Sequence, residues 1–366
     1  MIPAPLRDPH RHRPTVGSAL LLTATLALAA CSSSGITQQA SPSATVPVAM
    51  PAGAVEESPT DVPEPSVDDC DATASLAPLA ERPAPGQMPE GSAMAEIVQR
   101  GYLRAGVDQS SYLAGYRDPL TGQFLGFDID ILRAVATALF GDDDPDRIQF
   151  TVMTNSQRQR AIADGEVDIV ASIMTITCQR RYPERYFDAD YVERFPGVEF
   201  SAPYHVAQQR ILVPVSSPIT GPDDLAGARV CVPVNTTVEQ NIAHYQLPPG
   251  SEPMVLVAVD GRTDCLSLLQ QGKVDALTTD DTILTGFAAQ DPTVAIVGEG
   301  FHQQPYGLAI SKDRPELTRF VNHLLAEMMA DGRWLDIFGH WVGQGGVLGD
   351  DGLVGLEPPT PHYRDS

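Results

Sequence analysis

The chain has 366 residues and a formal net charge of −23, with 43% hydrophobic residues. That length leaves room for one large or two medium domains. So acidic a chain argues against nucleic acid or anionic lipid head groups as partners, since both demand Lys/Arg patches.

In chain order, the first 30 residues read as a processing segment. Arg7, Arg11 and Arg13 form a basic region, and residues 18–30 form an apolar run too short for a permanent membrane span. It ends in Leu28-Ala29-Ala30-Cys31, a sequence that resembles a bacterial lipobox, in which Cys31 becomes the lipidated first residue. An ordinary secretory signal with an incidental cysteine also fits. No later stretch is apolar and long enough to span a bilayer, so the remainder is expected outside the membrane. Residues 31–91, rich in Pro, Ser and Ala with acidic residues, predict a disordered tether, apart from partial order over 68–79 through Cys70.

Four cysteines follow Cys31. An even number in an exported chain points to two disulfides, and the absence of a CxxC pair gives no zinc site. The expected pairs are Cys231 with Cys265 and Cys70 with Cys178, out of three arrangements that sequence does not separate.

The folded region is expected from residue 92. A helix over 93–100 leads to a strand at 103–107 with Asp108 just beyond it. Ile131, Val135 and Leu139 recur at helical spacing, and a strand at 148–153 and a helix over 157–164 follow. The central stretch is residues 168–180. Its apolar run Ile169-Val170-Ala171 reads as a buried parallel strand. Thr175, Thr177 and Arg180 lie just past it, at the carboxyl edge where open α/β sheets hold ligands. Two hydroxyls and a planar guanidinium fork suit a carboxylate; a capping threonine followed by a solvated arginine fits the same residues.

Strands are expected at 210–214, 229–234, 254–259, 272–277 and 306–310, and helices from about 238 and over 263–271, 316–330 and 334–341. Gly165-Glu166-Val167-Asp168-Ile169-Val170 and Gly272-Lys273-Val274-Asp275-Ala276-Leu277 share one form, each after a short helix and before a polar cluster. That echo predicts two similar α/β lobes.

Gly126-Phe127-Asp128-Ile129-Asp130, the 165–170 and 174–180 stretches, Ser201-Ala202-Pro203-Tyr204, Asp280-Asp281, Pro305-Tyr306-Gly307 and the terminal Trp-containing helix occur in a telling order. Together they resemble family 3 of the bacterial extracellular solute-binding proteins, the binding subunits of polar amino-acid ABC importers. The resemblance covers residues 92 to 343. It implies a two-lobed type II periplasmic-binding-protein-like α/β fold, each lobe a mainly parallel sheet flanked by helices, with two hinge crossovers near 203–207 and 303–306. The domain expectation is lobe 1 over 92–204 and 306–345, lobe 2 over 205–305, and a loose tail over 346–366.

The same resemblance implies site roles. Arg180 and Thr175 would hold the ligand α-carboxylate, and Asp280 its α-ammonium, which needs acceptors. Thr236 and Thr237 would add contacts at a helix N-terminus, where anions are favoured. A plain N-cap fits Thr236, Thr237 and Asp280 equally well. Asp108 favours an amide or a cation and Arg158 an acidic side chain, unless the two bridge each other; Arg158 also fits a solvated helix residue. Tyr112 and Tyr116 are the candidates for aromatic packing over the ligand, although the usual aromatic-Pro-Phe pattern is missing there. The implied protein is a monomeric, lipid-anchored receptor on the extracellular face of the cell membrane, without cofactor or metal. It would pass glutamate, aspartate or glutamine to an ABC permease or a membrane sensor. An enzyme on this scaffold, such as a dehydratase, is the alternative, but the histidines show no catalytic spacing.

Overall fold

The structure is a computed structural model that describes residues 50–63, 70–343 and 357–364. The leader, Cys31, the tether up to 49 and the tail over 346–356 lie outside the described residues. Three short strands, β1 (Val55–Glu57), β2 (Ala74–Leu76) and β3 (Leu103–Val107), flank helix α1 (Ala93–Arg100), the third of them following it. Ser92 caps α1 by accepting the Ala95 N–H at 3.2 Å, and Gly101 ends it with φ 92°, a left-handed turn that glycine adopts without a Cβ clash.

A small meander of β4 (Ser110–Ser111), β5 (Gly115–Arg117) and β6 (Phe124–Leu125) leads into α2 (Phe127–Phe140). Strand β7 (Ile148–Val152), helix α3 (Arg158–Ala163) and strand β8 (Ile169–Ala171) follow, then α4 (Cys178–Arg181), α5 (Ala189–Arg194) and β9 (Glu199–Phe200). The chain then runs through β10 (His205–Pro214), β11 (Arg229–Pro233), α6 (Thr237–Ala243), β12 (Val255–Val259), α7 (Arg262–Gln270), β13 (Ala276–Asp280) and α8 (Asp281–Gln290). It closes with β14 (Val294–Tyr306), β15 (Ala309–Ile310), α9 (Pro315–Asp331), α10 (Arg333–Trp341) and β16 (His362–Arg364).

Two mixed sheets form the lobes. The first has the order β7-β3-β8-β15-β9 and the second β1-β12-β11-β13-β10-β14. In each, three parallel strands sit in the same relative order, β7-β3-β8 and β12-β11-β13, and the other strands pair antiparallel. The repeated sequence signature has one structural job in both. Asp168 accepts the Arg104 N–H at 2.9 Å, and Asp275 accepts the Arg229 N–H at 2.8 Å. Each aspartate thereby fixes the register of its strand against the first parallel strand of its lobe. Gly106 in β3 is required by close approach, since a Cβ there would meet the Met153 methyl carbon at 2.5 Å.

The lobes are joined where β10 and β14 run antiparallel, His205 opposite Tyr306 through Gln208 opposite Gln303. These are the two expected crossovers. Tyr204 is buried there and donates to Asp128 at 2.6 Å, and Phe127 packs against it, so both are core and hinge residues. Buried His205, beside Thr282 Oγ at 3.0 Å, is held by desolvation near a pKa of 4 and is a structural histidine. Among the described residues no helix is long and apolar enough to cross a membrane.

Both disulfides are present, Cys231–Cys265 inside the second lobe and Cys70–Cys178 between the N-terminal segment and α4. The tether expectation is corrected for residues 50–63 and 80–91, while the order expected around Cys70 is present over 70–79. Strand β1 adds antiparallel to the β12 edge of the second lobe, and β2 pairs with β16 on the first. The pairing with β16 also corrects the loose tail over 357–364. Composition undervalued both segments because a strand that joins an existing edge, as β1 does, or pairs with one distant strand, as β2 and β16 do, needs little apolar surface of its own. Its backbone groups are satisfied by the partner strand. Buried Ser75 and Leu76 are held further, Ser75 Oγ donating to Phe200 O at 2.7 Å and Asn322 donating to Leu76 O at 2.6 Å.

Candidate functional site

The carboxyl ends of the parallel strands in both lobes converge on one small, mostly polar cavity. Arg158, Ile173, Thr175 and Arg180 line it from the first lobe, and Pro233, Thr236, Thr237, Val238, Arg262, Thr279, Asp280 and Ile283 from the second. Its lining of three guanidinium groups, a carboxylate and threonine hydroxyls suits a small polar, charged molecule.

On the first lobe, Thr177 caps α4 by accepting the Arg180 N–H at 3.1 Å, and the Arg180 side chain folds back to donate to Thr175 O at 2.7 Å. Desolvation lowers the Arg180 pKa to about 10. Arg158, buried at the start of α3, donates to Asn155 O at 3.2 Å and Ser172 O at 2.9 Å. Burial, then the nearby cations Arg180 and Arg262, push its pKa far down. A guanidinium held in this state gains from an anion in contact.

On the second lobe, Asp280 ends β13 and opens α8 but gives that helix no side-chain cap. Its Oδ2 accepts from Tyr306 at 2.7 Å, while its buried Oδ1 has no hydrogen-bond partner among the described residues. Desolvation raises its pKa to about 7. A buried acceptor facing a polar cavity is the complement of a donor cation. Thr236 is an N-cap: its hydroxyl accepts the Glu239 N–H at 3.2 Å and donates to Pro233 O at 2.6 Å. Thr237 is engaged differently. Its hydroxyl donates to Gln304 Oε1 at 2.7 Å, the same atom that accepts from Thr175 at 2.8 Å, so residues of both lobes meet on the crossover strand.

Three sequence candidates lie elsewhere. Neither Tyr112 nor Tyr116 lines the cavity; their rings pack on each other at 4.9 Å between centroids. Asp108 does not line it either and does not bridge to Arg158. Its Oδ2 accepts from Arg262 of the second lobe at 2.6 Å, and the same guanidinium donates to Asn155 Oδ1 at 2.8 Å. Burial opposes the Asp108 charge, but Arg262 and the hydroxyls of Ser110 and Ser111 hold its pKa below the usual range. Arg262 and Gln304 were missed by sequence reasoning. Gln304 carried no signal. Arg262 carried one: a cation at the first position of a helix opposes the helix dipole and calls for a carboxylate partner.

A profile of the bacterial extracellular solute-binding proteins, family 3, matches residues 103–344. The chain belongs to that family. Family 3 relatives include the ABC transporter glutamine-binding protein GlnH of Bacillus subtilis (strain 168). It is 30% identical over 250 residues, covering 68% of this chain and 84% of its own. The glutamate-binding protein GluB of Corynebacterium glutamicum is 28% identical, covering 74% and 88%. Among solved structures, an ancestral arginine-binding protein bound to arginine superposes with a TM-score of 0.54 at 30% identity, covering 66% of this chain and 98% of its own. As a family 3 member the chain is a solute receptor of the ABC-transporter type and not an enzyme.

Proposed function

We propose that the protein is a lipid-anchored extracellular receptor that captures a free amino acid of the glutamate, aspartate and glutamine class and delivers it to an ABC permease. The observation that carries this reading is the pairing of Arg180 on one lobe with Asp280 on the other around a single small cavity, with Asp280 Oδ1 left without a partner. Arg180 and Thr175 take the α-carboxylate, and Asp280 takes the α-ammonium. Arg158 reads the far end of the side chain. Thr236 shapes the helix turn, and Thr237 adds its hydroxyl at the wall.

The relatives named as glutamine- and glutamate-binding support the class, and the sequence around Cys31 supports the anchor. Capture by two lobes converts occupancy into a closed shape that a membrane partner reads. A thermal-shift screen of the twenty amino acids tests the reading, because a ligand that binds only the native state raises the melting temperature. Glutamate, aspartate or glutamine should give the largest shift, and a flat response to all twenty would refute it. Incorporation of labelled palmitate, lost in Cys31→Ser, tests the anchor.

A further inference from the structure

Arg262 stands between two spaces. On one side is the amino-acid cavity, which it lines with Arg158, Arg180 and Asp280. On the other is a second cavity between the lobes, which it lines with Asp108 and Asn155. Its guanidinium is tied to the first lobe by Asp108 at 2.6 Å and Asn155 at 2.8 Å. Arg262 and Asp108 are only 7% and 8% exposed, so this is a desolvated ion pair across the cleft. The pair does two things at once. It places a wall at the far end of the amino-acid cavity, and it consumes the buried carboxylate of Asp108, one of the two that line the second cavity with Asp260.

The charge balance then favours one sign of ligand. Three guanidinium groups face the amino-acid cavity; Asp108 balances Arg262, which leaves Arg158 and Arg180 against the single carboxylate of Asp280. An amino acid's own ammonium and α-carboxylate cancel each other. A side-chain carboxylate relieves the remaining excess of positive charge, an amide is tolerated, and a side-chain cation adds to it.

We propose that Arg262 is the residue that sets the charge of the accepted side chain: it excludes basic amino acids by masking Asp108 and walling off the cavity that leads to it. This rests on the amino-acid receptor reading above and adds to it a specificity determinant. Removing the Arg262 side chain joins the two cavities. A long cationic side chain then reaches Asp108 and takes the place of the lost guanidinium.

The test is calorimetry of the full chain with glutamate, glutamine and arginine. The proteins compared are the wild type, Arg262→Ala, and Arg262→Ala combined with Asp108→Asn. In the wild type, arginine is expected to bind at least about a hundredfold more weakly than glutamate, as a desolvated like-charge contact dictates. Arg262→Ala should improve arginine affinity at least about tenfold and weaken glutamate by a similar factor, each tenfold corresponding to about 1.4 kcal/mol. Adding Asp108→Asn should abolish the gain for arginine. Should Arg262→Ala fail to fold, Arg262→Gln keeps most of the volume and is still expected to narrow the gap between glutamate and arginine.

A folded Arg262→Ala or Arg262→Gln protein with the wild-type preference overturns the proposal, as does an arginine gain that survives Asp108→Asn. A wild type that prefers arginine overturns it while leaving the amino-acid reading intact. A wild type that binds no amino acid overturns both.

Discussion

Asp280 gives the site its pH dependence. Its folded-state pKa of about 7 lies above the ordinary 3.8, so the folded receptor holds a proton there that the unfolded chain releases. The corresponding stability is fully present below about 3.8 and is lost as pH rises through about 7. Ligand binding works the other way, because an ammonium group needs the ionised carboxylate. Between pH 5 and pH 8 affinity should rise by up to about a hundredfold, two pKa units at pH 5, with one proton released per ligand bound at low pH. Calorimetry in buffers of different ionisation enthalpy measures that proton, and Asp280→Asn should remove most of the slope; an unchanged slope would assign it to another group. Arg180→Ala should cost about 2–5 kcal/mol of affinity, the loss typical of truncating one partner of a buried charge pair. Calorimetric affinity equal to the wild type would end the carboxylate role. At this scale the sequence told much. The position of Thr175 and Arg180 on the cavity wall was legible because a polar cluster directly after a buried strand falls at the carboxyl edge of the sheet. Asp108 was visible but mispaired, since its partner Arg262 comes from the other lobe, 154 positions later, and no local spacing joins them.

The parallel strands and their following helices were legible for a related reason. The twin motif at 165–170 and 272–277 repeats at the same place in both sheets, and each aspartate bonds a backbone N–H of the neighbouring strand. The short strands β1, β2 and β16 were not. Each has three residues, too few to show a period; β1 exists because the β12 edge waits for it, and β2 and β16 because each supplies the other's partner. The N-terminal segment thus touches both lobes. It adds β1 to the second and is stapled to α4 of the first, next to Arg180, through Cys70–Cys178. That disulfide closes a loop of 108 residues, and cross-linking a loop of this order constrains the unfolded chain by about 4–5 kcal/mol. Replacing both cysteines by serine should lower the denaturant midpoint accordingly. Amide exchange should rise in β2 and α4, with a weaker effect on the second lobe. A uniform rise across both lobes would mean that the staple acts only on global unfolding and has no local grip on the binding turn.

Across the whole molecule, the proposed function rests on the difference between an open and a closed arrangement of the lobes. Polar contacts bridge the cleft at several points. Arg262 meets Asp108 and Asn155, Thr237 meets Thr175, and Asn235 donates to Ser156 Oγ at 2.8 Å. The last lies outside the amino-acid cavity, on an exposed turn, so it reports on closure without touching the ligand. Ser156→Ala removes one neutral hydrogen bond from the closed form alone, worth about 0.5–1.5 kcal/mol. If the ligand meets the open form and the lobes then shut over it, the association rate is untouched. The whole loss then falls on escape, and dissociation should quicken by roughly 2- to 10-fold. Stopped-flow kinetics separate the two rates. A slower association with unchanged dissociation would show instead that the ligand selects an already closed receptor, and the cleft contacts would then govern access rather than retention.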